Sequence, residues 1–341
     1  MDVFLFRQEK FSELYNCSVL TEEEWQLEGV PNKPFAIGLF VVSILLTVIY
    51  VPCLLVICKT DLIKIGSYKV MLFLGVMDVA CLFVNGLGSS YFSYFGTVAC
   101  HLFNFEYLYS LNGLAAWYIQ STVCAVLAIN RSYTFWKAPN APDLFHGKRV
   151  YFWIGLCSLY GYVAALLQKP LFFSTKVYLW MYDPYFGIEK VKVDRSPYVN
   201  IGHLLHNIVT GVFLAFFTVA LIVQLRSQSK LMGNANFAKT QNLITFQAVI
   251  ISLFTLLNGA LYIFEQFVHM SLGVCMSMSF IWSISNGAPA VMYLIVNATI
   301  KRGVASFFKL DKNDKANSVK TTLTGVGPTM SKTFASQSAA K

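Results

Sequence analysis

Charged residues are scarce in this sequence. Asp, Glu, Lys and Arg make up 13% of it, against about 25% in a soluble domain. Histidine is scarcer still, with five among 341 residues. His203 and His206 stand one helical turn apart, but His101, His146 and His269 are scattered, and no His-Glu-x-x-His run exists. That is too little for the histidine boxes of a membrane lipid-modifying enzyme, so no metal is expected. Neither a nucleophile elbow nor a phosphate-cradling glycine loop occurs, and no cofactor or catalytic residue is expected. Lysine is missing from the last long apolar stretch, Met270–Thr299, which removes the Schiff-base anchor a retinal protein needs. The segment Met1–Pro34 lacks an apolar run and carries Glu22, Glu23, Glu24 and Glu28, so it does not read as a signal peptide.

Apolar residues fill the space that charge leaves. Hydrophobic residues are 56% of the chain, aromatic residues 16%, and mean hydropathy is +0.56. They gather into seven stretches: Phe35–Cys58, Val70–Tyr94, Leu102–Ile129, Val150–Phe173, Tyr198–Leu225, Leu243–Phe264 and Met270–Thr299. At about 1.5 Å per residue, roughly 20 apolar residues in a helix match the ~30 Å hydrocarbon core of a bilayer. Backbone polar groups find no water there, which favours helices. The expected fold is an all-α membrane protein, a seven-transmembrane helix bundle.

The net charge of +9 is segregated. Of the 26 Lys and Arg, 18 fall in Lys59–Lys69, Arg131–Arg149, Arg226–Lys239 and the stretch from Lys301 onward. Cations accumulate on the cytoplasmic side, so these segments are expected inside, with the N-terminus outside and the C-terminus inside. The surplus reads as topology and attraction to membrane lipids, with no nucleic-acid partner. Four regions follow: an extracellular segment 1–34, the bundle 35–300, an amphipathic juxtamembrane segment 301–310, and a tail 311–341 too poor in apolar residues to order itself. Ser318, Thr321 and Thr322 in that tail are candidate phosphorylation sites. Asn16-Cys17-Ser18 is a glycosylation sequon placing Asn16 outside; Asn130-Arg131-Ser132 matches the same pattern on the wrong side. The longest outer loop, Ser174–Pro197, suits either a hairpin or an irregular lid.

Polar residues within apolar stretches are costly and mark working positions. Asp78 stands in the second stretch, Arg131 closes the third after Asn130, and Asn286, Pro289 and Tyr293 stand in the seventh. Asp78 is suited to a buried switch or an ion site, and Arg131 to coupling or to a plain positive anchor. Together with seven stretches, these residues resemble a rhodopsin-like G-protein-coupled receptor in relaxed form. Asn130-Arg131-Ser132 stands where that class has acidic–Arg–Tyr, and the sixth and fifth stretches lack their prolines. Tyr15-Asn16-Cys17, Trp25, Tyr50-Val51-Pro52-Cys53-Leu54, Ser67-Tyr68-Lys69-Val70-Met71, the run to Asp78, Cys124 through Arg131, and Pro289-Ala290 resemble the nematode serpentine chemoreceptors of class T.

That resemblance implies a chemosensory receptor for a small molecule, coupled to a heterotrimeric G protein through Asn130 and Arg131. Asp78, Asn286, Pro289 and Tyr293 would form its conformational switch. It also implies a multi-pass plasma-membrane location, with the sensory cilium of a chemosensory neuron as a candidate site. In rhodopsin-like receptors a disulfide joins the third helix to the second outer loop, but Ser174–Pro197 has no Cys. A Cys17–Cys100 bridge is the expected substitute, with Cys275 as a rival partner and two free thiols as the remaining option. Stepping back from Arg131 by 3.6 residues gives Ala128, Cys124, Gln120, Trp117, Gly113, Tyr109 and Glu106 on one face. Glu106, Tyr109 and Trp117, with His203, His206, Asn207, Tyr262, Glu265 and Trp282, are the expected ligand-binding set. The alternative is a channel or transporter with Asp78, Glu106 and Glu265 along its pathway.

Overall fold

The computed structural model describes residues 7–136, 144–228, 235–268 and 270–309. Among the described residues, seven helices are long and apolar enough to cross a membrane: Lys33–Lys59, Gly66–Phe95, Phe103–Tyr133, Arg149–Leu167, Ile201–Gln224, Thr245–Glu265 and Leu272–Val296. They are called spans one to seven below. The third is the axis of the bundle. In its apolar window 78% of residues are buried, against 22% in the fourth, and it packs against the second, fourth, fifth and sixth spans. The first span packs on the second and seventh.

The sequence boundaries move in one informative place. The fourth stretch was expected to run to Phe173, yet its helix ends at Leu167. Pro170 cannot continue a helix, and Phe172 and Phe173 instead enter a hairpin. Strand β1 (Phe172–Ser174) pairs antiparallel with β2 (Leu179–Met181), so Phe173 faces Trp180 in the register. The hairpin points into the bundle, where Phe172, Phe173, Leu179 and Trp180 are each 1% exposed or less. Trp180 Nε1 donates to Ser89 Oγ at 2.8 Å, and Ser279 Oγ donates to the Tyr178 carbonyl at 2.9 Å.

A strap of N-terminal residues lies over this hairpin. It comprises the short helices Gln8–Leu14 and Glu22–Glu28, the second closed by a Thr21/Glu24 capping box. Trp25 is buried against Tyr185 and donates from Nε1 to the Cys17 carbonyl at 2.8 Å. Tyr198 and Tyr185 hydroxyls donate to the carbonyls of Leu14 (2.6 Å) and Asn16 (3.1 Å). A disulfide joins Cys17 to Cys100, with 5.4 Å between their Cα atoms; Cys275 is a buried free thiol. Strap and hairpin together form a lid at this end of the bundle, called the lid end.

At the opposite end, the helix Ala298–Lys309 turns away from the seventh span. Val304 packs on the core, and the Lys59 ammonium lies 5.2 Å from the Phe307 ring centroid. The expected tail 311–341, with Ser318, Thr321 and Thr322, lies outside the described residues, as does part of the Arg226–Lys239 loop.

The second span holds a feature no proline announces. Residues Leu82–Gly88 form a π-helical turn. The wider turn carries Asn85 inward, where Nδ2 donates to the Ser279 carbonyl and to Ser283 Oγ, both at 2.8 Å. Such turns recur at functional positions.

Candidate functional site

Under the lid, polar groups from separate elements converge. Trp117 of the third span donates from Nε1 to Asn207 Oδ1 of the fifth at 3.1 Å. His206 bridges three spans: Nε2 lies 2.8 Å from Ser121 Oγ, and Nδ1 lies 2.8 Å from the Tyr160 hydroxyl. His203 sits one turn earlier. Its ring centroid is 5.5 Å from Tyr182, 5.9 Å from Tyr118 and 6.4 Å from Tyr262, and Tyr262 packs edge-on against Trp282 at 5.6 Å. Glu265, one turn beyond Tyr262, is an electrostatic neighbour of Tyr182 and Tyr262.

This cluster is polar and under-satisfied. Tyr118 Oη, His203 Nδ1, Tyr262 Oη, Glu265 Oε2 and Trp282 Nε1 are buried without a hydrogen-bond partner. A buried polar group left unpaired costs about 1–3 kcal/mol. Several such atoms facing one region suit a small molecule carrying both donors and acceptors. Tyr182 roofs the group from the lid, a residue the sequence did not single out.

Seven of the nine residues expected for the ligand are thus neighbours. Glu106 and Tyr109 are placed elsewhere. Glu106 is fully buried and its Oε2 accepts the Phe173 backbone N–H at 3.2 Å, so it anchors strand β1. Tyr109 donates to the Phe83 carbonyl at 2.8 Å and packs on Trp180, toward the second span. The helical phase put both on the Trp117 face, but the inserted hairpin occupies the space they border. Asp78, Glu106 and Glu265 each lie among different partners.

Deeper in the bundle, Asp78 is fully buried and accepts from the Tyr50 hydroxyl at 2.6 Å. Tyr50 meets Tyr293 edge-on at 6.0 Å. Asn286 donates from Nδ2 to the Trp282 carbonyl at 2.8 Å, which ties it to the floor of the lid-end cluster. Asp78 also interacts with Gln120 and Tyr293 with Tyr50, and Asn286 Oδ1 is buried without a partner. Pro289, within the seventh helix, lacks the N–H that would continue the ladder. Tyr50 and Asn85 are the residues missed here; an Asn four residues before a serine pair in an apolar run was their faint signal.

At the far end, Arg131 is 7% exposed, with Nη2 3.9 Å from Met71 Sδ. No carboxylate among the described residues pairs with it. Asn130 Oδ1 accepts from Ser67 Oγ at 2.9 Å, and Asn297 Nδ2 donates to the Tyr68 hydroxyl at 2.9 Å, closing this end over the arginine.

The lid itself is laced by charge. Lys176 and Lys190 lie 3.0 and 3.1 Å from the Glu28 carboxylate, and their hydrogen bonds hold it below the usual glutamate range. Arg195 reaches Asp183 at 3.0 Å; burial nonetheless pushes Asp183 up, against the Tyr185 N–H and Arg195. Asn16 is exposed, and its Oδ1 accepts from Ser18 N and Oγ.

Known proteins share this architecture. The family model described as "Serpentine type 7TM GPCR chemoreceptor Srt" matches residues 2–317. A curated relative, Serpentine receptor class T-55 of Caenorhabditis elegans, is 20% identical over 304 residues, which cover 84% of this chain and 78% of the relative. Among solved structures, squid rhodopsin superposes with a TM-score of 0.61 at 13% identity, covering 89% of this chain and 94% of the other. At that identity the likeness concerns the fold.

Proposed function

Because the chain belongs to the Srt family of serpentine seven-transmembrane chemoreceptors, we propose that it binds a small molecule beneath the lid and activates a heterotrimeric G protein at the opposite end. The observation that carries this reading is the convergence of unpartnered buried polar atoms from four spans around His203. A ligand satisfying those atoms binds best the arrangement that presents them together, and so shifts the population toward it. Glu106 belongs to the lid's support in this scheme and Tyr109 to its seam with the second span. Trp117, His203, His206, Asn207, Tyr262, Glu265 and Trp282 are the binding residues.

The path to the far end has physical links. Trp282 and Asn286 share one helical turn of the seventh span through the Asn286–Trp282 hydrogen bond. Pro289 weakens the ladder just beyond. Tyr293 then meets Tyr50, which holds Asp78. A shift of the seventh span disturbs this set and, one layer on, the Tyr68–Asn297 bond that covers Arg131. Uncovered, Asn130 and Arg131 become available to the G protein. The lock is uncharged, since Ser67 and Asn130 replace an acidic partner. The lid end faces outward, and the protein resides in the plasma membrane of a chemosensory cell, with the sensory cilium as the proposed compartment.

The test is heterologous expression of the full chain with a G-protein reporter, screened against volatile and water-soluble small molecules. With any agonist so found, Arg131→Ala abolishes activation while surface expression stays. His203→Ala raises the half-maximal agonist concentration at least tenfold with expression unchanged. Signalling preserved in Arg131→Ala, or an unaltered dose–response in His203→Ala, overturns the corresponding part of the scheme.

A further inference from the structure

A second site lies at the edge of the lid, away from the His203 cluster. Here the strap helix Gln8–Leu14 crosses the segment joining the fourth span to the loop and the segment leading into the fifth, leaving a cleft of about 410 Å³. Three cations line it: Arg7 and Lys10 from the strap, and Lys169 just past the fourth span. Two of the lid's carboxylates are engaged elsewhere, Glu28 by Lys176 and Lys190 and Asp183 by Arg195, and Glu9 and Glu13 of the strap helix form no ion pair with any described residue. Among the described residues none forms an ion pair with Arg7, Lys10 or Lys169. Lys169 is half-buried and donates to the carbonyls of Pro197 and Val199. Burial, and then the neighbouring Lys10 ammonium, push it below the ordinary lysine range. Lys169 is thus half-buried beside another cation, and no ion pair among the described residues compensates it.

Two further observations give the cleft a direction. Asn200 lines it at 2% exposure; its side chain interacts with the Tyr182 hydroxyl, and its Nδ2 makes no other hydrogen bond. Leu167 and Ile201, the end of the fourth span and the start of the fifth, also line it and stand 60% and 64% exposed. These two continue the apolar surface that the spans present to lipid. An occupant that satisfies cations, amide and apolar rim together carries a negative head and an alkyl chain.

We infer that this cleft binds an anionic amphiphile, with its carboxylate or phosphate head among Arg7, Lys10, Lys169 and the Asn200 amide and its chain along Leu167 and Ile201 toward the bilayer. Cationic side chains near a membrane surface each favour such heads, and charge-assisted hydrogen bonds fix them. The apolar rim excludes a bare anion as the best-fitting occupant.

The experiment uses the full chain, purified in neutral detergent, and titrated with radiolabelled oleate. Oleate binds the wild type saturably. Lys10→Glu and Lys169→Gln each raise its Kd about tenfold, the scale expected for losing or reversing a charge at such a site. Oleyl alcohol, with the same chain and no charge, does not compete at equal concentration, and acetate competes at least a hundredfold more weakly than oleate. Lys10 is exposed on the strap, so Lys10→Glu decides alone if Lys169→Gln fails to fold. An unchanged Kd in Lys10→Glu overturns the inference. So does equal competition by oleyl alcohol, which makes the cleft merely apolar, or by acetate, which makes it a free-anion site. None of these outcomes bears on the His203 cluster, because no variant touches it.

Discussion

Gly86 sets how closely the first two spans approach. A Cβ built on it overlaps the side chain of Ser43. Both residues are buried, and Ser43 Oγ also donates to Ser283 Oγ at 3.2 Å. A methyl group at Gly86 therefore pushes the first span outward and strains the contact between Ser43, Ser283 and Asn85. Overpacking of this kind costs typically about 1–3 kcal/mol. Gly86→Ala is expected to lower the thermal unfolding midpoint in detergent. Gly155, in the fourth span, is the control, since nothing lies within 4 Å of its Cβ position. Gly155→Ala removes only backbone entropy and is expected to be stabilising by about 0.5–1 kcal/mol. A midpoint that falls for both variants, or for neither, contradicts the packing account. Residue identity alone reveals little of this: Gly86 and Gly88 read as helix-weakening, and only the π turn shows that they admit Ser43 and Tyr109.

The lid is the element whose origin the sequence disguised. Phe172 and Phe173 continue an apolar run, and hydropathy does not tell a side chain facing lipid from one plugged into a bundle. Length and apolarity were enough for all seven spans, because the bilayer imposes one simple requirement on each. The hairpin answers to no such requirement; it is held by single hydrogen bonds, accepted by Ser89 and Glu106 and donated by Ser279, that connect residues far apart in the chain. For the same reason helical phase gathered Trp117 with its partners, whereas Glu106 and Tyr109 find their neighbours in the hairpin and the second span. The strap also carries a pH-dependent tie. Lys176 and Lys190 depress Glu28, so its folded value lies below the unfolded glutamate value of about 4.3. The tie contributes fully above the unfolded value and is lost as pH falls through the folded one. The stability difference between wild type and Glu28→Gln is therefore expected to be constant above about pH 5 and to vanish on acidification below it. Paired thermal melts across pH 3–7 measure this; a gap that persists or widens at the acidic end assigns the contribution of Glu28 to something other than its charge.

Over the whole molecule, two independent arguments support the proposal that the lid end faces out. The first is charge: 18 of the 26 Lys and Arg fall, along the sequence, at or between the facing ends of spans one and two, three and four, and five and six, or after span seven, and cations stay on the cytoplasmic side. The second is redox chemistry. Cys17 and Cys100 are joined at the lid end, and disulfides persist where the compartment is oxidising. The six remaining cysteines described are unpaired, and none of them lies in the strap or hairpin. Both arguments support the proposed orientation, with the lid outside and the Ala298–Lys309 helix inside, the arrangement a receptor needs if it meets its ligand at one end and a G protein at the other. An epitope fused before Met1 is expected to stain in intact cells, and one fused after Lys341 only after permeabilisation. Reversed staining would place the basic segments across the membrane from the cytoplasm and the disulfide within it. That would require an insertion signal stronger than 18 cations and a bridge surviving reduction, so the reversed result would remove the Arg131 end from any G protein and with it the coupling half of the proposed function.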